Sequence, residues 1–154
     1  MVFGDVSFGI YALMPQGWVF MISIILIEAV VICRRLTTKW YDHPIYGRVT
    51  ISNVVSGLAG FFISLKLNGG WYLVVWLPWV SNNEINISNQ TELLGLGILY
   101  VAALILTLII ELPLNLFLFK KYPRREIFRS TLSANLISYL FGTIALYSYS
   151  FGAV

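Results

Sequence analysis

The sequence predicts an all-α integral membrane protein with four transmembrane helices, arranged as two tandem helical hairpins with both termini on the outer side. Three observations predict it. Of 154 residues, 58% are hydrophobic and only 11% charged, whereas a water-soluble surface usually needs about a quarter of its residues charged. Four apolar stretches each reach the length of about 20 residues that crosses a bilayer. Nine of the ten basic residues fall in two of the three connections between those stretches.

The stretches run approximately Met14 to Cys33, Val49 to Leu67, Leu93 to Phe119 and Ile127 to Ser148. The first connection carries Arg34, Arg35, Lys39 and Arg48, and the third carries Lys120, Lys121, Arg124, Arg125 and Arg129. Basic loops are retained on the cytoplasmic side, which places the central loop and both termini outside. Lys66 is the outlier, near the outer end of the second stretch, where a long side chain can snorkel to the interface. The first sixteen residues carry Asp5 and no basic residue, unlike the start of a cleavable signal, so the first apolar segment is expected to stay.

The chain reads as a single membrane domain, 1–154, with a first hairpin at 14–67 and a second at 93–149. Between them, 68–92 combines an aromatic run with a polar loop. The run is too short to span, and its tryptophans Trp71, Trp76 and Trp79 prefer the headgroup level, as expected of an outer interfacial or re-entrant flap. An aromatic anchor against lipid, a partner-binding surface and a lid over a cavity all fit it. The polar loop holds two formal glycosylation acceptors, at Asn86 and Asn89.

Inside the membrane the two hairpins share a pattern. Glu28 is followed 25 positions later by Asn53, and Glu111 24 positions later by Asn135; Ser and Gly then follow each Asn at plus three and plus seven, as Ser56 and Gly60, and Ser138 and Gly142. Both copies run in the same direction, so a pseudo-twofold axis would stand along the membrane normal. Counted from the basic loops, Glu and Asn lie at roughly the same depth, 8 to 13 Å in, so each Glu is expected to meet its own Asn. Asn, Ser and Gly share one helical face, on which small residues let helices approach closely. Two readings of the pairs follow: a neutral interhelical clamp, or a proton- or cation-binding element of a transport path. Pro113 and Asn115 mark the second half as specialised, with the proline able to bend the third helix.

Several classes of chemistry find no support. One cysteine, Cys33, and one histidine, His43, supply neither a thiol pair nor a metal cluster. No phosphate loop or nucleophile elbow occurs, so no enzyme, cofactor or metal is expected. His43, before Pro44 in a charged loop, reads as solvated, and Cys33 as a small buried thiol. Lys120, Lys121, Arg124 and Arg125 either fix topology or meet anionic lipid headgroups. The net charge of +3 reports orientation rather than nucleic-acid binding.

Glu28, Arg34-Arg35-Leu36 and Asn53-x-x-Ser56-x-x-x-Gly60 together resemble small bacterial membrane proteins of the cyanobacterial filament-integrity (Fra-type) family. The string Ala134-Asn135-Leu136-Ile137-Ser138 is similar to one recurring in bacterial membrane proteins. The resemblance covers a handful of residues in each hairpin and does not reach 71–91. It implies a non-enzymatic component of a membrane assembly such as a cell-to-cell junction, in a bacterial inner or thylakoid-type membrane. Small multidrug transporters resemble the chain in helix number and a membrane Glu, but they are shorter and lack the duplicated Glu and Asn pattern. The leading expectation is thus a non-catalytic subunit or scaffold of a larger complex, partnered by membrane lipids and other integral membrane proteins. The alternative is a small transporter or channel that uses Glu28 and Glu111.

Overall fold

The computed structural model describes residues 15–68 and 90–152, and in them the chain is helical with no strand. The helices are α1 (Pro15–Thr37), α2 (His43–Asn68), α3 (Gln90–Leu118) and α4 (Arg124–Gly152). All four run a few residues beyond the apolar stretches at one end or both, α1 continuing through Arg34 and Arg35 to Thr37. Basic side chains close the hydrophobic window without breaking the helix, since Arg and Lys are good helix formers and cations favour a helix C-terminus.

Two short connections reverse the chain at the basic end. Thr38 ends α1 with a left-handed φ of 61°, and its N–H bonds the Arg34 carbonyl at 3.1 Å, an αL cap. Asp42 then caps α2, its carboxylate accepting the Ile45 N–H at 3.3 Å. His43 is therefore not a loop residue as expected: it is the first residue of α2, placed there by the Asp42 cap, and it remains exposed. At the second reversal the Pro123 carbonyl opens α4 by accepting the Glu126 N–H at 2.9 Å.

Each helix packs on two neighbours, in the cyclic order α1, α2, α3, α4, with α4 closing the ring on α1. The expected contacts within each hairpin are present, and α1 to α4 and α2 to α3 join the hairpins to each other. Buried residues recur at helical spacing, for instance Ala103, Thr107, Glu111 and Asn115 in steps of four along α3, with Phe119 next after its end. Toward the basic end the interior is apolar, formed by Ile32, Cys33, Ile45, Val49, Phe119 and Ile127. Cys33 is fully buried there.

Farther from that end the interior turns polar. Among the described residues, buried polar or charged side chains outnumber buried apolar ones, while Leu26, Ile51, Leu58, Ile98, Ile105, Ile109, Leu140 and Ile144 face outward. A bundle standing in water has the opposite distribution. Among the described residues one segment, Tyr100–Leu118, is long and apolar enough by itself to cross a membrane. In α2 and α4 the Ser, Thr and Asn of the interior dilute the apolar run, and in α1 Glu28, Arg34 and Arg35 interrupt it, so four equivalent spans do not emerge from hydropathy alone. Pro113 lies on an exposed face of α3, which continues past it to Leu118.

Candidate functional site

The polar interior is built around the two carboxyl groups. Glu28 on α1 and Glu111 on α3 are almost wholly buried, at 2% and 1% exposure. Asn53 Nδ2 donates to Glu28 Oε2 at 2.9 Å, and Asn135 Nδ2 donates to Glu111 Oε2 at 2.9 Å. Each Asn amide is steadied by a second bond to the carbonyl one turn earlier, Val49 or Thr131, at 3.1 Å in both halves. These are the two pairs expected from the 25- and 24-residue spacings.

The serines go elsewhere. Ser56, expected to serve close packing beside Asn53, donates to Glu111 Oε1 in the other hairpin at 2.7 Å. Ser138 donates reciprocally to Glu28 Oε1 at 2.7 Å. Every carboxyl thus accepts one bond from its own hairpin and one from the other, with matching lengths on both sides. The network has the symmetry of the duplicated pattern, and it is a crossed clamp rather than two separate ones.

All the donors to these carboxyls are neutral amides or hydroxyls, and among the described residues no cation forms an ion pair with either. Burial of a carboxylate without a countercharge is expensive. A proton on either carboxyl, or a cation beside them, would relieve that cost. Both Glu residues open onto a cavity of about 70 Å³ on the side away from the basic loops, which is walled by Phe20, Met21, Ile24, Tyr100, Thr107 and Tyr139. Toward the basic end the apolar layer seals it.

The cavity breaks the symmetry. Where the first hairpin has Gly57 after Ser56, the second has Tyr139 after Ser138. Tyr139 shares a hydrogen bond with Thr107 across 2.9 Å, and its ring meets Tyr100 edge-on at 5.0 Å. The Tyr100 hydroxyl also donates to the Tyr139 carbonyl. Across the cavity Phe20 stacks with Phe141 at 6.2 Å. Sequence reasoning missed Tyr100, Thr107 and Tyr139, although Thr107 lies one turn before Glu111 on the same face, a signal that was present.

Other expected site residues are placed as follows. Gly142 is buried and close-packed: a Cβ there would lie 3.0 Å from the Tyr100 hydroxyl. Gly60 falls within α2, and its surroundings lie outside the described residues. So do Trp71, Trp76 and Trp79 of the expected flap, with both glycosylation acceptors. Asn115 is buried and donates to Thr131 Oγ1 at 3.1 Å, tying α3 to α4. Lys120, Lys121, Arg124 and Arg125 are exposed at the basic end. Among the described residues no three His, Cys, Asp or Glu side chains converge as a metal cluster would need.

Comparison with protein-family models, with curated proteins and with solved structures returns no match. The functional reading stands on the site itself.

Proposed function

We propose that the chain is an integral membrane protein whose four helices span the bilayer, and that it binds a proton or small cation between Glu28 and Glu111 as part of a transport function. One observation carries the proposal: two buried carboxyls, bonded only by neutral donors, face a common cavity. Supporting the membrane setting are the apolar outward faces of the bundle and the exposed cations Arg34, Arg35, Lys39, Lys120, Lys121, Arg124 and Arg125 at one end. That end would be cytoplasmic, with both termini outside. The cavity would open to the outer side, and the apolar layer beneath it would be the closed inner gate of an outward-facing state.

The test is reconstitution of the purified chain in liposomes with proton- and cation-sensitive dyes. Glu28→Gln and Glu111→Gln keep the shape and one acceptor oxygen, which can serve the Asn donor, while the new amide N–H can donate to the Ser hydroxyl; neither variant can titrate. Flux in the wild type that disappears in both variants, with the helical fold retained, is the expected result. Undiminished flux in both variants would sink the proposal.

A second reading, a non-catalytic subunit or scaffold of a larger membrane complex, is favoured by the same apolar layer, which among the described residues packs between the cavity and the basic end. Under it the crossed network acts only as a clamp. Co-purification in fixed ratio with larger membrane proteins, together with no flux from the isolated chain, would decide for it.

A further inference from the structure

A second polar site lies at the basic end, outside the carboxyl network. Arg48, in the first turns of α2, leans against the end of α3, where its guanidinium carbon stands 5.8 Å from the centroid of the Phe119 ring. Its Nη1 is buried and has no hydrogen-bond partner among the described residues. A guanidinium nitrogen removed from water without an acceptor is costly, so such an arrangement persists where an anion can complete it. Beside Arg48 an open groove is lined by Phe117, Leu118, Lys120 and Lys121. Neither lysine makes an ion pair among the described residues; the Lys120 ammonium sits 4.1 Å from the Phe117 ring and that of Lys121 5.0 Å from the Tyr122 ring.

The internal duplication supplies a comparison. The equivalent groove, between the end of α1 and the start of α4, has Ser130 at the position of Arg48 and Arg34 at that of Phe117. There Arg34 is already engaged, bonded to the Thr38 carbonyl and stacked 4.8 Å from the Trp40 ring. Ser130 donates to the Ile127 carbonyl at 3.0 Å. Of these two grooves among the described residues, the Arg48 groove is the one that combines three cations with an uncommitted guanidinium nitrogen.

From this juxtaposition we infer that Arg48, Lys120 and Lys121 hold the phosphate of an anionic phospholipid, with its first acyl carbons lying along Phe117. Arg suits phosphate because its planar fork donates two parallel bonds, while Lys adds point charge. Phe117 is 64% exposed immediately beside these cations, so the groove is apolar on one side and cationic on the other. That pairing matches a phosphate tethered to hydrocarbon better than a free anion. Basic pockets between helices on the cytoplasmic side are where such headgroups bind. The inference rests on the membrane setting proposed above but not on transport. It also shifts the expected headgroup contacts from Arg124 and Arg125 to Arg48.

The test is native mass measurement of the protein released from nanodiscs that contain equal amounts of phosphatidylglycerol and phosphatidylcholine. Wild-type protein should retain phosphatidylglycerol preferentially. Arg48→Gln should lower that preference about fivefold, as expected for removing one charge near the surface. Lys120→Gln/Lys121→Gln alters only exposed side chains, so it tests the site even if Arg48→Gln fails to fold; it too should lower the preference. Arg124→Gln/Arg125→Gln should lower it clearly less. Equal losses from the two double variants would mean diffuse surface charge and would overturn the site. Displacement of the lipid by dilute inorganic phosphate would overturn the lipid assignment in favour of a soluble anion. Extraction of the wild type by alkaline carbonate would refute the membrane setting itself, before any lipid is offered.

Discussion

The crossed serines offer a sharp test, because a bond between hairpins and a bond within one predict different pairwise couplings. Ser138→Ala removes the hydroxyl that donates to Glu28 Oε1 at 2.7 Å and leaves the helix otherwise unchanged. Side-chain hydrogen bonds between membrane helices contribute about 0.6 kcal/mol on average and up to about 1.7 kcal/mol. This bond is short and meets a fully buried carboxyl, so we expect a coupling near 1.5 kcal/mol, toward the upper end of that range. The assay is a double-mutant cycle with Ser138→Ala and Glu28→Ala, read from equilibrium unfolding in mixed lipid and detergent micelles. Ser56→Ala with Glu111→Ala should give a coupling of similar size, since that bond is also 2.7 Å. The control cycle pairs Ser138→Ala with Glu111→Ala, groups from the same hairpin with no direct bond, and should show a clearly smaller coupling. A coupling of Ser138 to Glu111 as large as that to Glu28 would refute the crossed arrangement and with it the ring order of the helices.

Three further outcomes follow from the same geometry. Asn135→Leu leaves Glu111 Oε2 without its donor and should destabilise the bundle by about 1 to 3 kcal/mol in the same unfolding assay. Gly142→Val drives a side chain against Tyr100 and Phe20, and it should cost about 1 to 3 kcal/mol while also abolishing any flux through the cavity. Unchanged stability would show that this part of α4 is looser than described. Cys33 is fully buried, so a water-soluble maleimide should leave it unmodified in the folded protein and label it on denaturation, as mass measurement would report.

Much of the architecture is legible in the chain before any folding. The four helices, their order and the two short basic connections follow from apolar length and charge placement, and the boundaries shifted outward because polar and charged residues, Arg34 and Arg35 in α1 and Arg124 and Arg125 in α4 among them, continue a helix beyond its hydrophobic window. Glu28 with Asn53 and Glu111 with Asn135 were likewise readable, since antiparallel helices joined by a short turn bring residues equidistant from that turn to the same depth. His43 was misplaced because a single Asp cap moved the helix start to it.

What only the tertiary structure decided is which helices face one another across the hairpins. Spacing within a sequence constrains partners joined by a short turn, but α1 and α4 lie more than a hundred residues apart at Ser138 and Glu28, and no local rule relates them. Ring closure of α4 on α1 turned two small, ordinary serines into donors to the opposite carboxyls. It also gathered Tyr100, Thr107 and Tyr139 around one cavity and set Arg48 beside the end of α3. The sequence determined the depth and face of each polar group by itself; the packing of one helical face against another chose its partner.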